Sequence, residues 1–231
     1  MIVFIAGMPR SGSTFSFNIA RDVLRARGSV YQEAPPPNIS EELARCGEAE
    51  HLLFKVHQLD ESGLLLARSS AARVICTIRK PEDAVSSWMQ TFDQSEEDSI
   101  SVIRDWLRLY IILKPFALTI SYRTVDRHPF IAARRIMRFL VPNVRLTEIW
   151  QSARQHAKAE VKKRTDALSR DGQGIKDIGF SWYDAKTFFH RRHISSLKSR
   201  SASERLPREQ VQRIRAALAE ETVAAGIESV L

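Results

Sequence analysis

Arg10-Ser11-Gly12-Ser13-Thr14 puts a guanidinium and three hydroxyls into five consecutive positions. The cluster follows the apolar run Ile2-Val3-Phe4-Ile5-Ala6 and precedes a helical pattern that starts at Phe15 and continues to about residue 27. A strand, a tight loop and a helix are therefore expected. The first-turn N–H groups of such a helix, with the positive end of its macrodipole, favour a phosphate or sulfate, and Arg10, Ser11, Ser13 and Thr14 add donors at the same place.

The spacing from Gly7 through Gly12 to Ser13 and Thr14 is close to that of the common nucleotide-binding P-loop, but Ser13 stands where that motif carries Lys. Other candidate groups recur at the ends of apolar runs. Lys55-Val56-His57 closes a run over 51–57, Arg79 closes one over 73–79, and Tyr122, followed by Arg123, closes one over 117–122.

The elements that must position these groups alternate. Strands are expected at the N-terminus and over 29–33, 51–57, 73–79 and 117–122. Helices are expected over 15–27, 40–50, 60–72, from Pro81 onward, and over 99–116 and 129–140. This order predicts an α/β fold of three layers, α/β/α, with a mainly parallel sheet of about five strands in a P-loop-like arrangement. In such folds ligands bind beyond the carboxyl ends of the strands, where the loop after Ile5, Lys55, His57, Arg79, Tyr122 and Arg123 all fall.

The chain of 231 residues reads as one domain, with a cofactor-binding core over 1–140 and a mostly helical part over 141–231 that carries a covering loop. The second part is expected to contain a basic helix over 151–168, a flexible loop over 172–179, an aromatic stretch over 180–189 and the basic run His190-Arg191-Arg192-His193. A mobile Ser/Arg-rich segment over 195–205 and one amphipathic helix from 207 to about 225 follow.

A formal net charge of +8 implies an anionic partner, which a nucleotide, a nucleic acid or an acidic lipid surface would satisfy. No run approaches the roughly 20 apolar residues of a membrane span, and no signal peptide is legible. Cys46 and Cys76 lack metal-site spacing and suit a reducing, cytoplasmic setting. His190 and His193 lie three apart without an acid or Cys to complete a metal site.

Taken together, Pro9 to Thr14, Lys55-Val56-His57, and Arg79-Lys80-Pro81-Glu82-Asp83 with Ser86-Ser87 resemble the sulfotransferases that use 3'-phosphoadenosine 5'-phosphosulfate (PAPS). The resemblance covers residues 1–140 in order. It implies PAPS as donor and 3'-phosphoadenosine 5'-phosphate (PAP) as product, with no metal. Arg10, Ser11, Gly12, Ser13, Thr14 and Phe15 would hold the 5'-phosphosulfate, and Arg79 and Ser87 the 3'-phosphate. Tyr122 would lie near the adenine.

Lys55 would meet the transferring group with Arg10, and His57 would be the base, with Glu33 and Asp60 as alternatives. The run from His190 to Ser195, with Arg191, Arg192 and His193, would close over the 3'-phosphate, although the Gly usual in that element is missing. The acceptor would be a hydroxyl or amine on a small molecule or carbohydrate, such as an aromatic or amphipathic alcohol or a sugar. Its pocket would draw on 88–116 and 150–189. No nucleic acid and no membrane anchor are expected, and the oligomeric state is left open. A P-loop kinase acting on a small molecule or nucleotide is the alternative, with a basic nucleic-acid-binding module behind it.

Overall fold

The structure, a computed structural model, describes residues 1–36, 38–177, 182–191, 194 and 198–227. Its centre is a five-stranded sheet in the order β2-β3-β1-β4-β5. The strands are β1 (Ile2–Ala6), β2 (Val30–Glu33), β3 (His51–Val56), β4 (Ala72–Ile78) and β5 (Ala117–Ser121), and every neighbouring pair is parallel.

A parallel sheet is stable only with both faces covered, and β1 shows why this sequence satisfies that. Alternate side chains point to opposite faces. Phe4 and Ala6 join one core with Phe54, Val74 and Cys76, whereas Val3 and Ile5 join the other with Leu53, Ile75 and Ile120.

Helices α1 (Ser13–Arg25) and α7 (Pro129–Leu140) supply the second core, through Phe17, Ile19, Ala133 and Ile136. The first is covered mainly by α3 (Glu61–Arg68), α4 (Pro81–Phe92) and α5 (Glu96–Leu113), while α2 (Ile39–Arg45) and α6 (Tyr122–Arg127) complete this half. Tyr122 therefore opens α6 rather than ending β5. Trp106 and Tyr110, in the stretch expected to line an acceptor pocket, stack at 5.2 Å inside the core. Their helical spacing aims them at the sheet.

The expected basic helix over 151–168 is two helices, α8 (Leu146–Gln155) and α9 (Lys158–Asp166). The break is at His156, whose buried ring donates from Nε2 to Asp22 Oδ2 at 2.8 Å. Ser152 donates to the same oxygen at 2.7 Å and Arg21 to Oδ1 at 3.2 Å. Burial opposes charge on Asp22, but these donors hold its carboxyl below the usual carboxylate range.

Part of the expected loop over 172–179 is β6 (Ile175–Asp177), paired antiparallel with β7 (Trp182–Asp184). The closing helix is likewise two, α10 (Arg208–Ala217) and α11 (Ala219–Ala225). Among the described residues, no helix is long and apolar enough to cross a membrane, and no cluster of His, Cys, Asp or Glu has the make-up of a metal site.

Candidate active site

The loop between β1 and α1 is fixed from behind by β4. Met8 N–H donates to Thr77 O at 2.9 Å, and Ser11 N–H to Met8 O at 3.2 Å. The Ser11 hydroxyl lies 2.6 Å from Met8 O and 2.6 Å from Thr77 Oγ1. Both of its donors are thus spent inside the loop. The Ser11 hydroxyl, expected among the anion ligands, thus braces the loop against β4.

Arg10 (φ 64) and Gly12 (φ 87) both adopt left-handed backbone, and this turn delivers the chain into α1. Gly12 offers no side-chain cap, and the first helical bond runs from Ser16 N–H to Gly12 O. The N–H groups of Ser13, Thr14 and Phe15 precede that bond in a buried first turn without an acid. A helix start of this kind is a ready anion site.

Around it stands a surplus of positive charge. Arg10 donates from Nε to Ser87 Oγ at 3.1 Å, and burial together with Arg79 and Arg205 pushes its guanidinium down to about 10. Arg79 is buried, lies 4.4 Å over the Tyr122 ring, and donates to Arg10 O at 3.3 Å and Arg200 O at 3.2 Å. Asp83 Oδ2 is 3.9 Å from Arg79, and Asp83 Oδ1 already accepts Ala202 N–H at 2.5 Å. Three guanidinium groups facing one occupied carboxylate repel one another until an anion enters.

On the other side of the loop, β3 presents Lys55 and, just past its end, His57. Burial and the nearby Arg10 push Lys55 down to about 8. His57 Nδ1 is 2.7 Å from Gly7 O; because a carbonyl only accepts, Nδ1 carries the proton and Nε2 is the basic nitrogen. Burial and Lys55 push this imidazole down to about 3, so it is neutral at physiological pH.

The alternatives for the base are placed differently. Asp60 caps α3 through Gly63 N–H (2.8 Å) and also accepts Ile39 N–H (2.9 Å), so both carboxylate oxygens are occupied. Glu33 accepts Ala34 N–H at 3.0 Å at the far edge strand.

His190 heads the basic run expected to close over the 3'-phosphate. Burial, Lys55 and Arg10 push it down to about 4, which places it in the same positive field, with its ring 5.1 Å from Tyr183. Arg191 is exposed and lies 4.7 Å over Trp182 on the hairpin, rather than against Arg79; Arg192 and His193 lie outside the described residues.

The segment that does reach Arg79 is farther along. Ser199 bonds Tyr122 Oη at 3.0 Å and receives Lys158 Nζ at 2.9 Å, while Arg205 donates to Ser86 Oγ at 3.3 Å. Lys158 also pairs with Asp126 at 2.8 Å. Residues 198–205, expected to be mobile, are tied down by these contacts.

No protein-family model and no curated protein matches the sequence. Solved structures do. Mouse sulfotransferase SULT7A1, crystallised in complex with PAP, superposes with a TM-score of 0.67 over 100% of this chain and 87% of its own, at 12% identity. The chain has the sulfotransferase fold. Two retinol dehydratase structures, one with androsterone and the inactive cofactor PAP, the other with retinol and PAP, superpose with TM-scores of 0.61. Each covers 96% of this chain, with 80% and 81% of their own chains matched at 11% and 12% identity.

The loop's tight seat gives a direct test. A Cβ on Gly7 would stand 2.3 Å from Ser13 Cβ and 2.4 Å from Thr77 Oγ1. Gly7→Ala should therefore destabilise the protein by about 1–3 kcal/mol in urea unfolding.

Proposed function

We propose that this chain is an enzyme, a sulfotransferase that uses PAPS to sulfate a hydroxyl-bearing acceptor. The observation that carries the reading is the single-tautomer imidazole of His57, held through Gly7 O beside Lys55 and the uncapped start of α1. The buried, uncapped N–H groups and the excess of guanidinium over carboxylate fit a doubly anionic nucleotide. Ser13 at the Lys position of the common P-loop weakens the kinase alternative.

Bound PAPS supplies an electrophilic sulfur attached to a phosphate leaving group. The N–H groups of Ser13, Thr14 and Phe15, with Arg10, would hold the 5'-phosphate end. Arg79 and Ser87 would hold the 3'-phosphate, with Arg205 beside them and Tyr122 near the adenine. His57 Nε2 takes the proton of the acceptor hydroxyl as its oxygen approaches sulfur, and the Gly7 carbonyl keeps the ring in the tautomer that allows it. Lys55 offsets the charge that gathers on the departing phosphate oxygen.

Base strength is coupled to loading of the site. Burial and Lys55 push His57 down to about 3, and an anion paired with Lys55 would offset the second of these causes, so the imidazole is a better base once the site is filled. A hydrophobic alcohol is the proposed acceptor. Trp88, next to Ser87, lies 4.3 Å from Phe92, and the retinol dehydratase structures hold androsterone or retinol, both amphipathic alcohols. The thiols of Cys46 and Cys76 are free, and a cytoplasmic location is part of the proposal.

Turnover with PAPS and a panel of phenolic, steroid and isoprenoid alcohols tests the activity. His57→Ala should lower kcat by roughly 10²–10⁴ while PAP affinity in calorimetry stays within about threefold. Full activity in that variant would move the base elsewhere.

Lys55 sets an alkaline limit. It is charged below about pH 8 and neutral above, so kcat/KM for the donor should fall as pH rises through about 8. Lys55→Arg, which stays protonated, should remove that limb from the pH profile.

A further inference from the structure

Away from the site, α7 and α8 leave an apolar groove open to solvent. It has a volume of about 510 Å³ and is lined by Phe130, Leu146, Thr147, Trp150 and Gln151. Leu146 and Trp150 are 58% and 56% exposed, and Ile131 beside Phe130 is 49% exposed. Side chains of this size are rarely left in water together without a partner.

The exposed charge on the segments that line the groove is mainly positive. Residues 127–147 contain Arg127, Arg134, Arg135, Arg138 and Arg145 and no Asp or Glu. Arg135 is turned away to Thr119 O at 3.1 Å, but Arg127, Arg134, Arg138 and Arg145 are exposed. Arg134 is one helical turn from Phe130 and so stands beside the groove. Arg154 lies 5.3 Å over the Trp150 ring. The nearby acid, Glu148, is paired with Arg27 at 2.7 Å.

We infer that this face docks on an anionic lipid surface, with Leu146, Trp150 and Ile131 entering the headgroup–acyl boundary and the arginines meeting lipid phosphates and carboxylates. An apolar centre with Trp at its edge and a cationic rim matches that boundary in both polarity and charge. A second copy of the chain on the same face would bring two arginine rims together. A nucleic acid would use the rim but leave Leu146 and Ile131 without a role.

The test is co-sedimentation of the full chain with vesicles of phosphatidylcholine alone or mixed equally with phosphatidylserine. Binding should be at least about tenfold stronger to the mixed vesicles and should weaken with salt. Leu146→Ser with Trp150→Ser, both at exposed positions, should lower it by about tenfold with the thermal midpoint unchanged. Arg134→Gln with Arg154→Gln should remove the preference for phosphatidylserine.

Equal binding to both vesicles, or full binding by the Ser double variant, overturns the inference. A dimer in size-exclusion chromatography that the Ser variant dissolves would give the face to a second copy and also overturn it. So would arginine-dependent binding of a duplex DNA or RNA probe without a lipid preference.

Discussion

Two hydroxyls, Ser11 and Thr77, meet at 2.6 Å behind the first loop, and the rest of the site depends on that contact. It holds the loop against β4, so its backbone carbonyls become fixed reference points. Gly7 O sets the tautomer of His57, and Arg10 O receives Arg79. The loop thus does more than offer N–H groups to an anion. It orients both the proposed base on the β3 side and the guanidinium on the β4 side, two strands consecutive in the chain that flank β1 in the sheet.

The second constraint is electrostatic. Arg10, Arg79, Arg205 and Lys55 are gathered where burial disfavours charge, and burial and mutual repulsion lower both Arg10 and Lys55. Such an arrangement is a cost in the folded chain alone and is relieved by an anionic ligand. Local conformation is bent to the same end, since Arg10 is left-handed at the turn that leads into the anion site.

The first half of the fold was legible because its signals are local. Continuous apolar runs mark buried parallel strands, Pro81 and Pro129 mark helix starts, and the strand ends carry the polar residues. Lys55, His57 and Arg79 could be placed at one edge for that reason. The second half was misread where a tertiary contact overrides the local pattern. The break at His156 is made by Asp22, far away in the sequence, and the ordering of 198–205 is made by Tyr122, Lys158 and Asp83. Ser11 looked like a ligand donor because its type fits, but only the packing of β4 against the loop shows that its hydroxyl is taken.

The loop and Arg79 are proposed to form one site that reads both ends of a 3'-phosphorylated nucleotide. Isothermal titration of the native chain with PAP and with ADP tests it most directly, because the two ligands differ mainly in where the second phosphate sits. PAP affinity should be at least about a hundredfold above that for ADP, as expected for a buried charge-assisted contact to Arg79. Equal affinity for the two nucleotides, or tighter binding of ADP, would contradict it.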